Sequence, residues 1–400
     1  MKKLLAGLLV FTFFAIGNSR AGETDVLLNK LVEKGYLNAA ESQEVRTETQ
    51  NNIDAAKKLE KEEKDKEAKE KGPFYVKIGK GDVKISGYVQ SRFERFEKPG
   101  KNDEFRVKSV TLALAGKLAD DTNFKAEIDA SKTDGKILND AFLKYTLNNY
   151  ANITLGQFKI PFSEEFITSS SSIETVERSL PVTSLSQERD RGLMLDGTVL
   201  NKMVNYGAGI FNGAGPNASE DNEGKDAAGR VVVNVLPGLS IGGSYMTGSE
   251  MQQTDTYSTT SADSKTGMFK KTSTYDPYKR TRSGALVKYE DKSVKIQGEY
   301  ITQKKDYELA SKTDISGKGY YALLAYKISL EGKAAIQPVV KYETYDADTD
   351  KDNDKQKITT IGVNWFINDY VKLMVNDRMR KDDAGKEGYD ELLVQAQVKF

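Results

Sequence analysis

The chain has 400 residues, and neither cysteine nor histidine occurs among them. Without thiols there are no disulfides and no thiol chemistry. With histidine absent too, zinc fingers, axial haem ligation and His-based triads are excluded. An excess of one charge is also missing: Lys+Arg and Asp+Glu both number 59, for a formal net charge of +0. That balance argues against a nucleic-acid partner, because displacing phosphate counterions takes a basic excess. Beyond Ile16 no apolar stretch reaches the length of a membrane-spanning helix. Proline is scarce at 8 residues, whereas 20 Tyr, 16 Phe and 33 Gly favour strands joined by tight turns.

The N-terminus reads as an export signal over residues 1–21. Lys2 and Lys3 precede an apolar run from Leu4 to Ile16, and Ser19-Arg20-Ala21 has the small-x-small form of a cleavage site. The run is too short to cross a membrane as a helix. No cysteine follows it to carry a lipid anchor.

Residues 22–72 then form a helical, highly charged spacer that the export signal would place in the periplasm. Asp25 to Lys34 groups Leu27, Leu28, Leu31 and Val32 on one side, and Gly35 suits a helix C-cap. Ala39 opens a second helix towards Lys71, in which Lys and Glu alternate as KKLEKEEKDKEAKEK. It reads either as a coiled coil that helps an oligomer assemble or as a solvated spacer. The heptad pattern is not sustained, which favours the spacer.

From residue 84 the period of hydrophobicity becomes two. Phe124, Ala126, Ile128 and Ala130 alternate with Lys125, Glu127 and Asp129, and Val294 and Ile296 alternate with Lys295 and Gln297. Alternate strand positions point to opposite faces. The pattern predicts sixteen strands near 84–96, 105–118, 122–131, 138–147, 152–160, 191–200, 203–212, 230–236, 239–248, 282–290, 293–303, 318–329, 335–345, 356–367, 370–380 and 389–400.

Their connections alternate between tight turns, such as Asp120-Asp121 and Pro237-Gly238, and long polar loops at 161–190, 213–229, 249–281, 304–317 and 346–355. Short turns on one rim and long loops on the other describe a transmembrane β-barrel. The expected fold is therefore all-β: a 16-stranded antiparallel barrel over 73–400, behind the helical segment. The chain stops on Phe400 after Leu392, Val394, Ala396 and Val398 at every second position. Outer-membrane proteins end in this way, and the barrel assembly machinery reads the terminal aromatic. With the export signal, this places the chain in the outer membrane of a Gram-negative cell, among lipid and lipopolysaccharide.

Several segments together resemble the phosphate-selective porin O and P family. They are Ile85-Ser86-Gly87-Tyr88, Leu155-Gly156-Gln157-Phe158-Lys159-Ile160-Pro161-Phe162-Ser163, Glu177-Arg178-Ser179-Leu180, Arg191-Gly192-Leu193-Met194-Leu195-Asp196-Gly197, Phe211-Asn212-Gly213 and Gly362-Val363-Asn364-Trp365-Phe366-Ile367-Asn368. The resemblance implies a 16-stranded outer-membrane channel, usually a homotrimer, with the third long loop folded into the pore.

A barrel of that size encloses water, and charges at its narrowest point set ion preference. The candidate constriction, 161–190, carries Glu164, Glu165, Glu174, Glu177, Glu188 and Asp190 against Arg178, Arg189 and the adjoining Arg191. Its hydroxyl run from Thr168 to Ser172 offers hydrogen bonds to solutes. Wall residues expected to face the lumen are Arg92, Lys125, Glu127, Asp129, Lys144, Lys295, Glu299 and Lys372, with Glu94, Asp140, Lys341, Glu343, Arg378 and Arg380 interleaved. Strong anion selection calls for closely spaced Arg or Lys. The mixed signs point instead to passive diffusion of small hydrophilic solutes and ions, weakly selective or mildly cation-preferring. An anion- or phosphate-selective channel, as the resemblance implies, and an envelope tether are the alternatives.

No cofactor or metal site is expected. The alternating Asp346, Asp348, Asp350, Asp352 and Asp354 fail as a Ca²⁺ loop, because Lys351 and Lys357 stand where glycine and glutamate are needed. An enzyme barrel is disfavoured, since no histidine serves as base and no G-x-S-x-G elbow occurs. Tyr88, Tyr145, Tyr206, Tyr289, Tyr300, Tyr342 and Trp365 fit aromatic girdles at the membrane interfaces.

Overall fold

Hydrogen-bonded pairing runs from strand to neighbouring strand until the last pairs with the second and closes the ring. The structure is a computed structural model that describes residues 28–47, 75–78, 81–220, 222–259, 269–309, 312–382 and 388–400. The export signal and the Lys/Glu run after residue 57 lie outside the described residues. The chain divides into two compact units, Met1–Phe74 and Tyr75–Phe400.

In the first unit, helices α1 (28–33) and α2 (39–47) form where the sequence supplies their ends. Gly35 stands at φ +69°, with Gly35 N–H on the Val32 carbonyl and Tyr36 N–H on the Leu31 carbonyl. This paired closure leaves a glycine in the left-handed region just past the helix. Asn38 opens α2: its side chain accepts the Glu41 N–H at 2.8 Å, while the Glu41 carboxylate accepts the Asn38 N–H at 3.0 Å.

In the second unit the strands are β1 (Tyr75–Ile78), β2 (Gly81–Phe96), β3 (Glu104–Ala119), β4 (Thr122–Asp129), β5 (Leu138–Asn148), β6 (Ala151–Lys159), β7 (Arg189–Val199), β8 (Val204–Phe211) and β9 (Asp226–Leu236). They continue as β10 (Leu239–Thr259), β11 (Phe269–Glu290), β12 (Val294–Tyr307), β13 (Ile315–Tyr326), β14 (Ile328–Ser329), β15 (Ala335–Asp346), β16 (Gln356–Phe366), β17 (Val371–Asp382) and β18 (Tyr389–Lys399). Two helices, α3 (Glu164–Ile167) and α4 (Leu180–Leu185), lie between β6 and β7.

Apart from the short β1 and β14, sixteen strands form a closed antiparallel barrel. β14 follows β13 and pairs with β15, and β1 forms a small hairpin with β2. Closure is through β18 and β2, from Glu391 opposite Phe96 to Lys399 opposite Tyr88. All sixteen expected strands are present.

Two differences stand out. β1 was not anticipated, and the expected 249–281 loop is mostly strand. β10 and β11 stay in register from Leu239 opposite Tyr289 out to Thr259 opposite Phe269. They continue well past the last pairing of β10 with β9, at Thr247, and of β11 with β12, at Tyr278.

The faces are inverted relative to a water-soluble protein. On β13, Tyr321 and Leu323 are buried inside the barrel while Tyr320, Leu324 and Tyr326 are exposed outside. Around the outer wall Leu112, Leu143, Leu155, Leu193, Ile241, Val287, Ile361 and Trp365 are likewise exposed. So continuous an apolar exterior is stable only against lipid. Inside, Gln90, Arg92, Glu94, Lys295, Glu299, Lys341, Glu343, Asn376 and Arg378 are buried. Buried polar groups on this scale need partners, and the segment between β6 and β7 supplies many of them.

Candidate functional site

The eight wall residues named from the sequence all lie on the inner face or at its edge. Arg92, Asp129, Lys295, Glu299 and Lys372 are buried. Lys125 bridges Glu127 at 2.7 Å and Asp140 at 2.6 Å, and Lys144 pairs with Asp196 at 2.7 Å. Tyr88 was expected in an aromatic girdle, but it shares the inward parity of Gln90, Arg92 and Glu94. It is buried, with its hydroxyl 2.6 Å from Ser170 Oγ.

The chain between β6 and β7 turns into the lumen and folds there. Ser163 caps α3, accepting the Phe166 N–H. Ser179 precedes α4, whose first turn holds Pro181, a position where the missing N–H costs nothing. The loop residues Phe162, Phe166, Val182 and Leu185 join Phe158, Phe211, Met246, Ile301, Tyr321 and Leu323 of the wall in one apolar cluster. One side of the lumen is thus filled by apolar packing. The wall makes room for it: a Cβ added at Gly319 would stand 2.6 Å from Pro181 Cβ.

The loop's charges meet the wall in ion pairs. Glu174 pairs with Lys295 at 2.8 Å, and Glu164 pairs with Lys288 at 3.1 Å and with Arg230. Glu177 pairs with Arg92 and lies 3.4 Å from Lys108. Glu188 pairs with Arg189 at 2.6 Å and stands 3.8 Å from Arg178 and 3.7 Å from Lys159. Arg189 also holds Asp140 at 2.7 Å. Glu165 accepts the Ser179 N–H and O–H at 2.7 and 3.0 Å.

Two expected members are placed elsewhere. Asp190 is fully buried and accepts the Gly213 N–H at 2.5 Å, so it braces the base of the loop. Arg191 is exposed on the outer face of β7, which also carries Leu193 and Leu195, because its parity is opposite to that of the inward residues. The hydroxyl run also has a different place from the one expected. Ser170 meets Tyr88, and the Ser171 carbonyl accepts from Gln397 at 3.0 Å and from Lys372 at 3.4 Å, so the tip is docked on β2, β17 and β18.

Sequence reasoning missed Lys108, Lys159, Arg230 and Lys288 as partners of the loop. It also missed Asn364 and Asn376, whose amides bond the Glu174 carbonyl and the Val176 N–H at 2.7 Å each. For all but Lys108 the inward parity of their strands was the available signal; Lys108 faces in at a register shift between β2 and β3.

Among the paired loop charges the two most open are both acidic, although Glu164, Glu165 and Glu174 are about as buried as the arginines. Glu177 and Glu188 keep 31 % and 34 % of their side-chain surface open, whereas Arg178 and Arg189 keep 11 % and 9 %. Burial opposes ionisation of Glu177, but Arg92 and Lys108 outweigh it and hold the carboxyl down to about 2. Glu188 is held below the ordinary carboxylate value in the same way, burial being outweighed by Arg189, Arg178 and Lys159. A cavity of about 370 Å³ lies beside the loop tip, lined by Ser171, Glu174, Lys292, Lys295, Lys372 and Lys399.

A closed ring with a lipid-facing exterior, an ionic interior and an infolded loop is the architecture of an outer-membrane channel for passive diffusion. The chain belongs to the phosphate-selective porin O and P family, whose profile matches residues 83–400. It is similar to an uncharacterized protein of Aquifex aeolicus (strain VF5), 25% identical over 94% of each chain. Among solved structures, its fold is similar to that of the outer-membrane-expressed OmpT of Vibrio cholerae, with a TM-score of 0.60 at 12% identity over 82% of this chain and 100% of that one. It is also similar to the outer-membrane channel DcaP of Acinetobacter baumannii, with a TM-score of 0.55 at 13% identity over 82% and 99%. The anion-selective porin from Comamonas acidovorans gives a TM-score of 0.54 at 12% identity over 80% and 100%.

Proposed function

We propose that this porin passes small hydrophilic solutes and ions with weak selectivity and a mild preference for cations, and that the segment 161–190 is its constriction. The observation that carries the reading is the pairing of signs along the loop. Basic groups there face carboxylates, and the two most open of the loop's paired charges, Glu177 and Glu188, are both acidic. A balanced interior gives no strong field of one sign, and two accessible carboxylates bias it slightly towards cations.

A preference for anions has one observation in its favour. The Lys372 ammonium bonds the carbonyls of Ser171 and Ile173, and the 370 Å³ cavity it lines carries Lys292, Lys295, Lys327 and Lys399 besides it against Glu174, Glu290, Asp291 and Asp369, a basic excess of one. The family name and the Comamonas relative point the same way. Planar-bilayer recording separates the two readings. In a salt gradient the purified porin is expected to show stepwise openings and a small reversal potential of cation-preferring sign, and a strong anion bias would refute the proposal.

The same proposal places residues 1–21 as an export signal, 22–72 as a periplasmic spacer and 73–400 as the barrel. The even strand number supports a periplasmic rim for both barrel ends. A homotrimer is supported by a structure of Vibrio cholerae OmpT described as a trimer form. Phe400 is the recognition end for barrel assembly, and outer-membrane lipid and lipopolysaccharide surround the wall.

A further inference from the structure

We propose that Glu299 on β12 and Glu343 on β15 are positioning residues that set the aperture of the channel by gripping the infolded loop through its backbone. The inference rests on the reading of 161–190 as the constriction.

Glu299 takes four hydrogen bonds. Its Oε1 accepts the Ser163 hydroxyl at 3.1 Å, the Glu165 N–H at 2.9 Å and the Tyr321 hydroxyl at 2.8 Å. Its Oε2 accepts the Glu164 N–H at 2.9 Å. The two N–H groups belong to the first turn of α3, where no intrahelical partner exists. Glu343 does the same for α4, accepting the Leu180 N–H at 2.6 Å. Glu165 ties one short helix to the next through Ser179. Lys341 sits among these carboxylates, 3.9 Å from Glu165 and 4.0 Å from Glu343, and donates to the Glu177 carbonyl at 2.9 Å. Arg378 stands 3.6 Å from Glu343.

Helices of four and six residues have no stability of their own. Apolar contacts hold the loop against the wall without fixing its register, and the ion pairs of Glu174 and Glu177 and the amides of Asn364 and Asn376 fix its middle, while the two carboxyls fix its short helices. Hydrogen bonds from backbone N–H donors to carboxyl oxygens are directional and weaken steeply when misaligned, so they fix where the loop sits. The wall also depends on the loop. Glu299 and Glu343 are buried, and burying carboxylates is costly unless their lone pairs are satisfied. With the loop removed, Glu299 would lose three of its four donors and Glu343 its N–H partner. The mutual dependence makes the loop a fixed lining of the channel, with no freedom to act as a hinged gate.

The test is single-channel recording on Glu299→Ala, Glu343→Ala and the double variant, each confirmed as folded by heat-modifiable gel migration. The wild type is expected to show one steady level. The alanine variants are expected to show a unitary conductance changed by about twofold, with fluctuating sublevels, as the constriction loses its fixed position. Glu299→Gln keeps an oxygen for the three donors on Oε1 and turns its N–H₂ against Glu164, so it should fall between the two. Folded alanine variants with wild-type conductance and noise would overturn the proposal. Should those variants not fold, the isosteric pair Glu299→Gln/Glu343→Gln carries the same readout: intermediate noise supports the grip, and wild-type noise refutes it. A wild-type protein that forms no channel would instead remove the porin reading itself.

Discussion

Glu177 shows how a single side chain is set by groups distant in sequence. It lies 85 positions from Arg92 and 69 from Lys108, yet both reach it inside the barrel. Its carboxyl is held at about 2, against the usual 4.5, because the two cations favour its ionised form more than burial disfavours it. A depressed value means that the ion pairs are present above the usual carboxylate range and are lost only as pH falls through about 2. Glu177→Gln should therefore shift the reversal potential towards anions, changing the permeability ratio by about twofold. The difference from wild type should be as large at pH 4 as at pH 7, although an ordinary glutamate is mostly protonated at pH 4. A difference that halves by pH 4 would show that the carboxyl titrates normally. Arg92 and its neighbours were legible as lumen charges from strand parity, and Glu177 from the resemblance that folds its loop into the pore. Their pairings were not, because parity assigns a face and leaves open which residues on that face meet.

Strands were the most legible elements, since a period of two is a local property and each membrane-crossing segment must keep one face for lipid. The same reasoning explains why the β10–β11 hairpin was mistaken for a loop. Among the described residues its pairing with β9 ends at Thr247 and with β12 at Tyr278, so it runs on past its neighbours in the barrel, and its sequence there carries no apolar alternation. Its Thr- and Tyr-rich sequence still favours extended backbone.

Gly156 marks a place where strand geometry is bent to aim the loop. Its φ is +135°, and a Cβ there would stand 2.2 Å from the Ala141 carbonyl oxygen. Next to it Gln157 reaches the Leu138 and Asn139 carbonyls, and Phe158 enters the apolar cluster at the root of the loop. Gly156→Ala should destabilise the barrel by about 1–3 kcal/mol, the cost of holding a side chain in such a conformation. Urea titration of the folded protein measures it, and an unchanged midpoint would argue that β6 adapts freely.

Closure is a property of the molecule as a whole, and it is completed at the last residue. Phe400 N–H bonds the Gly87 carbonyl and Gly87 N–H bonds the Phe400 carbonyl, both at 2.9 Å, so β18 is sealed to β2 up to the chain end. Removing Phe400 takes away this final pair as well as the proposed assembly signal. The expected outcome is a several-fold lower yield of heat-modifiable barrel in outer-membrane fractions, and a normal yield would dismiss the residue as a signal.

The sixteen barrel strands, the alternation of faces along most of them, and the rim bearing the long loops could be written down from the amino-acid order. Each depends on contrasts between neighbours along the chain, which lipid on one side and water on the other impose directly. Where the segment 161–190 rests, that Asp190 braces its base, that Arg191 faces away, and that Glu299 and Glu343 grip short helices needed the folded barrel. The grip of Glu299 and Glu343 joins groups more than a hundred residues apart, and no local pattern records such a meeting.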